Sequence, residues 1–161
     1  MRRHDREVTD FNEQLAIIKK CDVCRLALND GGYPYILPLN FGFEVTEGSL
    51  ELYFHGASEG TKYALIDLDP RASFEMDCCH SLVYNADKKH CTMEYESVIG
   101  RGLISYVPDD EKYSALCKIM RQYHSDPTAF DPAAMRRTRV FKLTVESMTG
   151  KIKRTSAAQK E

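Results

Sequence analysis

The chain has 161 residues, 43% of them hydrophobic and 29% charged, a balance that suits one soluble globular domain with a sizeable core. Twenty-two Lys and Arg are set against 24 Asp and Glu, and the basic residues are scattered, which excludes the basic stripe of a nucleic-acid binder. No apolar run exceeds four residues, so neither a signal peptide nor a membrane span is read, and a cytoplasmic protein is expected.

Residues 1–8 are charged and expected to fray. Asp10-Phe-Asn-Glu13 has the form of a capping box, and Phe11, Leu15 and Ile18 recur at helical spacing, which predicts a helix to about Lys20. A strand over Val23–Leu28 meets Asn29-Asp30-Gly31-Gly32, a hairpin signal. The return strand, "YPYILPLNFGFEV", carries Pro34 and Pro38, which mark an edge or bulged strand. After a turn at Thr46–Ser49, a strand runs from Leu50 to His55. Ser58 then offers an N-cap to a helix that ends at Pro70, with Thr61, Ala64, Leu65 and Leu68 as its buried face.

"RASFEMDCC" and "MEYESVIGRGLISYV" read as two further strands, with a polar loop around Asn85–Lys89 between them. Pro108 opens an amphipathic helix with Tyr113, Leu116, Cys117, Met120 and Tyr123 on one face. A last strand, Val140–Glu146, turns Phe141, Leu143 and Val145 inward, and the basic tail from Lys151 is expected to be loose. Six strands in hairpin order, with helices at edges and crossovers, predict a mainly antiparallel barrel with peripheral helices. The absence of βαβ alternation and of G-x-G-x-x-G argues against a dinucleotide-binding doubly wound sheet.

Cys21-Asp-Val-Cys24, Cys78, Cys79, His80, His90 and Cys91 are the soft ligands available. Within a strand, residues 21 and 24 would point to opposite faces, and Cys78 and Cys79 are adjacent, a poor chelate. All six cysteines are therefore read as reduced, small buried hydrophobes, and no metal site is assigned. Asp109-Asp110-Glu111 is read as acidic complement to a helix start rather than a metal site.

The segment "LYFHGASEGTKYALIDLDP" is the candidate ligand cradle. A helix opening at Ser58–Lys62 presents unpaired backbone N–H groups, Gly60 allows close approach and Lys62 adds a charge, a combination suited to phosphate. Glu59 opposes this and is expected to face solvent. The plain alternative is a well-capped turn that binds nothing. His55 shares a strand face with Glu51 and Tyr53, and is either a proton donor or ligand contact, or an ordinary strand-end histidine. No serine, histidine and carboxylate set suggests a hydrolase.

Taken in order, "CDVCRLALNDGGYPYILPLNFGFE", "LYFHGASEGTKYALIDLDPRASFEMD", "YESVIGRGLI" and "FKLTVESMTGK" resemble the pyridoxamine 5′-phosphate oxidase-like, FMN-binding split-barrel proteins, nearest the nitroimidazole-resistance subgroup. The resemblance implies a single domain over residues 1–153 with a flexible tail at 154–161, folded as a six-stranded antiparallel split β-barrel of Greek-key type. It implies a homodimer with FMN at the subunit interface. Carried over by position, Pro38-Leu39-Asn40-Phe41 lie along the isoalloxazine and His55-Gly56-Ala57 beside the ribityl-phosphate chain. Lys62 binds the phosphate, and Ser97-Val98-Ile99 complete the pocket from the second subunit. The chain ends "MTGKIKRTSAAQKE", without the arginine and histidine pair that grips substrate in true pyridoxamine phosphate oxidases, so that reaction is not expected. An FMN-dependent oxidoreductase is expected, acting on a small molecule of nitroaromatic or quinone-like type with NAD(P)H as donor and with His55 as the catalytic candidate. The alternative is a non-catalytic module binding flavin or haem.

Overall fold

The computed structural model describes residues 3–87, 89–127 and 129–155. Eight strands are present: β1 (Glu7–Val8), β2 (Cys24–Leu28), β3 (Tyr35–Leu39), β4 (Phe41–Thr46), β5 (Ser49–Ala57), β6 (Arg71–Asn85), β7 (His90–Tyr106) and β8 (Thr138–Lys153). The helices are α1 (Phe11–Ile18), α2 (Thr61–Leu68), α3 (Lys112–Gln122) and α4 (Pro132–Arg137). Contacts group the chain into two compact units. One draws on the segments up to Cys21, Glu75–Ile99 and from Met148 onward; the larger comprises Asp22–Phe74 and Gly100–Ser147. The long strands β6, β7 and β8 contribute residues to both.

The sheet order is β3-β2-β6-β7-β8-β5-β4, with β1 on β8. Its two ends, β3 and β4, are consecutive in the chain and separated by Asn40 alone. Two residues span less than about 8 Å, so in the larger unit the sheet curls until its edges meet. This is a mainly β, antiparallel, split-barrel fold. The predicted single return strand is thus two strands, and the predicted six become eight. Pro38 explains the division: it lies in β3, opposite Arg25 at the end of the sheet order, where a missing N–H costs no ladder bond.

Inside the larger unit, alternation builds the core. Leu50, Leu52 and Phe54 of β5 point to one face, and register sets Leu52 opposite Leu143 and Phe54 opposite Phe141, all at most 2% exposed. The Phe54 and Phe141 rings stack at 5.3 Å. The opposite face of β5 and β8 is covered by α3 through Tyr53, Val107, Ala115, Leu116, Ile119 and Val140. The α3 backbone comes so close to β4 that a Cβ on Gly42 would lie 2.4 Å from Ile119 N and from the Lys118 carbonyl.

In the smaller unit, Asp10 caps α1 by accepting from the Glu13 N–H at 2.9 Å, as the capping box predicts. Gln14, 5% exposed, donates to Val8 O at 2.8 Å.

Several expectations are corrected. Residues 4–8 are ordered: His4–Arg6 form a 3-10 turn, and β1 pairs Glu7 with Lys151 and Val8 with Gly150. Lys151–Lys153 lie in β8 rather than in a loose tail. The last tail residues, 156–161, lie outside the described residues. Ser58 does not cap α2. The helix begins after Gly60, whose φ of 145° and ψ of 157° lie in a region open essentially to glycine. This shift turns Tyr63, Leu65 and Ile66 inward, while Thr61, Ala64 and Leu68 are exposed. In α3 the buried residues are Ala115, Leu116, Cys117 and Ile119, with Tyr113 43% exposed against Phe130. Helix α4, absent from the sequence reading, is capped by Asp131, which accepts from Ala133 and Ala134 N–H.

Candidate functional site

Strand β5 ends beside the start of β8, with His55 opposite Val140, Gly56 opposite Arg139 and Ala57 opposite Thr138. Residues directly opposite share a face, so Gly56 and Arg139 continue the inner row of Phe54 and Phe141. Helix α2 comes down on this end. Tyr63 is 4% exposed, meets Phe141 edge-on at 6.2 Å and donates its hydroxyl to Ala57 O at 2.6 Å. Lys62 is thereby carried to Gly56: a Cβ at Gly56 would stand 2.9 Å from Lys62 Nζ, so a side chain there would push the ammonium aside.

Two cations converge on one aromatic platform. Lys62 Nζ lies 4.4 Å from the Tyr63 ring centroid, and the Arg139 guanidinium lies 4.6 Å from Tyr63 and 3.8 Å from Tyr106. Among the described residues, neither cation has a carboxylate within ion-pair distance. Burial pushes the Tyr63 hydroxyl up, with Arg139 pulling partly against it. Burial and then its bond to Asp67 push Tyr106 up to about 12. Both phenols are therefore neutral at pH 7, and the carboxylate beside the cluster, Asp67, bonds Tyr106 rather than either cation. Such a cluster has the chemistry of a phosphate clamp. The first turn of α2 adds to it, because no side chain caps its N–H groups.

His55 points the other way. It shares the outer face with Tyr53 and stands at the mouth of a cavity of about 180 Å³ lined by Leu116, Ile119, Met120, Phe130 and Met135. His55 is exposed overall, but partial desolvation of its ring lowers its pKa. The structure thus brings Gly56 and Lys62 together and turns the His55 ring away from both. Pro38 and Asn40 are exposed and Leu39 is half-buried, at the junction of β3 and β4. Phe41 is fully buried opposite Phe54, and its N–H donates to the Tyr123 hydroxyl at 3.1 Å. Ser97, Val98 and Ile99 lie on β7 in the smaller unit, with Val98 buried and Ile99 56% exposed. Glu59 is exposed, as expected.

Arg139, Tyr63 and Tyr106 escaped the sequence reading. A signal existed for Arg139: it stands two residues before Phe141, a charge in the inward phase of the strand. A wider groove of about 600 Å³ is lined by Ala27, Leu28, Arg71, Ser73, Arg101 and Glu146, among others. Its cations are engaged, Arg71 by Asp69 at 2.8 Å and Arg101 by Ser147 Oγ at 3.1 Å, and no expected ligand residue lines it.

Residues 10–152 match the family described as pyridoxamine 5′-phosphate oxidase. The chain belongs to that family. A solved structure from Bacteroides thetaiotaomicron, described as a candidate 5-nitroimidazole antibiotic resistance protein, is 32% identical. The match covers 91% of this chain and 86% of that one, with a TM-score of 0.79. The flavocytochrome Anf3 from Azotobacter vinelandii is 17% identical over 96% of this chain and 72% of its own, with a TM-score of 0.76. An FAD and haem binding protein from Mycobacterium smegmatis is 17% identical over 93% and 74%, with a TM-score of 0.79. These two share the fold. A search of the curated proteins found no significant match.

Proposed function

We propose that this family member is a flavin-binding oxidoreductase whose cofactor is FMN, with the flavin phosphate held by Lys62 and Arg139. The observation that carries the reading is the pair of cations gathered over Tyr63 without a carboxylate partner. A flavin phosphate supplies the missing charge, and Gly56 and the uncapped start of α2 leave room and N–H donors for it. Pro38-Leu39-Asn40-Phe41 run alongside the ring, and Gly56-Ala57 beside the ribityl chain. Bound flavin would carry hydride and electron chemistry, and the protein would supply position and field. The substrate class is nitroaromatic or quinone-like, with NAD(P)H as donor; His55, turned to the other face of β5, is not assigned a part in proton transfer. The molecule is a homodimer in which Ser97-Val98-Ile99 close the pocket from the second subunit.

A second reading, a non-catalytic flavin- or haem-binding module, is favoured by the haem and flavin named in two structural relatives. The absorption spectrum of the purified protein separates the two, followed by NAD(P)H oxidation with an added acceptor. Flavin bands with turnover are expected; a haem-dominated spectrum, or no chromophore after FMN addition, rejects the assignment. Light scattering should report twice the chain mass, and a monomer that still holds FMN rejects the shared pocket.

A further inference from the structure

In the smaller unit, the side chains of Cys78, Cys79 and Glu96 present two sulfurs and a carboxylate oxygen that all lie within 4.8 Å of one another. The Cys21 and Cys78 thiols both reach toward Ile17 O, at 3.3 and 4.0 Å. Adjacent residues of a regular strand point to opposite faces, so Cys78 and Cys79 could not share a ligand there. The backbone departs from strand geometry at this point. Cys79 has φ of 58°, a left-handed conformation that a residue with a Cβ adopts at a cost of about 1–2 kcal/mol, and this turns its sulfur to the side of Cys78.

Glu96 is 3% exposed and is bonded by both Lys20 and Arg154, so one carboxylate faces two cations. With the thiols protonated the group carries one net positive charge. A divalent ion that replaces two thiol protons leaves that charge unchanged, with Lys20 and Arg154 orienting the carboxylate from outside. Cys79 is exposed while Cys21 and Glu96 are buried, which gives an ion one route of entry.

We infer that Cys78, Cys79 and Glu96 form a three-ligand site for a soft divalent cation of the zinc class, with the fourth tetrahedral position left to water. Tetrahedral zinc with sulfur at about 2.3 Å needs neighbouring ligand atoms about 3.5–3.8 Å apart, within about an ångström of the separations present. On binding, two S–H bonds give way to metal–sulfur bonds, two protons pass to water and no electron is transferred.

The test uses the protein with its native cofactor, reduced and handled anaerobically, and titrated with Co²⁺ alone. One equivalent per chain should produce intense d–d bands at longer wavelength than flavin, with a thiolate charge-transfer band and release of about two protons, and Zn²⁺ should displace them without further release. Cys79→Ser, at an exposed position, should weaken Zn²⁺ binding at least about a hundredfold, more than the loss of an outer hydrogen-bond partner does. Cys91→Ser, an exposed thiol outside the cluster, should leave binding unchanged. Absent or weak octahedral bands, bands that survive Cys79→Ser, or bands lost equally in Cys91→Ser would each overturn the site. So would a Cys78–Cys79 disulfide in protein isolated anaerobically.

Discussion

The two faces of the β5–β8 pair treat charge in opposite ways. On the outer face every cation is closed by a carboxylate: Lys118 meets Glu44 and Lys142 meets Glu51, each at 2.6 Å, and Tyr53 donates to Glu51 at 2.6 Å. Burial pushes Glu51 up, but the bonds from Lys142 and Tyr53 outweigh it and hold the carboxyl below its usual range. At the inner end, Lys62 and Arg139 rest on aromatic rings instead. A ring face holds a cation by about 0.5–2 kcal/mol and leaves its field directed outward. A charge-assisted bond to phosphate, about 1.5–3 kcal/mol, competes with that. Charges closed by a carboxylate belong to the scaffold, as does Lys118, which lies 4.3 Å over the Tyr53 ring but also has Glu44; charges that rest on rings alone remain available to an anion.

The largest effect expected from breaking this division is on the scaffold side. Gly42→Ala places a methyl 2.4 Å from the α3 backbone, which cannot yield as a side-chain tip would. Urea denaturation should show a loss of about 3 kcal/mol, while FMN affinity of the folded fraction holds. A loss under about 0.5 kcal/mol would mean that α3 is not seated on Gly42.

Lys62→Ala tests the other side. FMN should bind about ten- to a hundredfold more weakly, with a shallower salt dependence, and riboflavin, which lacks the phosphate, should be unaffected. Fluorescence titration with both flavins decides it: equal losses would point to damage in the ring pocket, and no loss would remove Lys62 from the site. Lys142→Ala should show the reverse pattern, a stability loss of about 1–2 kcal/mol from the half-buried Glu51 left behind, with FMN affinity retained. If Lys142→Ala weakens FMN as much as Lys62→Ala does, the two faces are not distinct.

The smallest effect concerns His55. Its folded pKa is depressed by burial, so the unfolded chain binds the proton more readily. Its contribution to stability is present above the unfolded value of about 6.5 and is lost as pH falls through the folded value. Melting temperatures followed from about pH 7.5 down to about pH 5 should fall slightly less in His55→Ala than in the parent. Parallel curves would show that His55 titrates alike in both states.

Local chemistry made much of this molecule legible in its sequence. The Asp10 cap, the Asn29–Gly32 hairpin, the alternation of Leu50, Leu52 and Phe54 and the placing of Lys62 in a first helical turn each depend on residues a few positions apart. Hydrogen-bond reach and side-chain period fix such features within a window. The family likeness, carried by ordered segments, could also be read there.

Other features were decided only when distant segments met. Whether "YPYILPLNFGFEV" is one strand or two depends on which neighbours pair with each half, and the curl of the sheet sends β3 and β4 to opposite ends of its order. That α2 starts at Gly60 follows from a backbone turn that no Ser58 cap signal announces. Arg139 joins Lys62 because β8 pairs with β5 across more than 80 residues of chain, and Cys79 joins Cys78 because one left-handed residue breaks the strand's alternation. Charge and burial at these sites are properties of what the folded chain brings alongside. No window of sequence contains those neighbours.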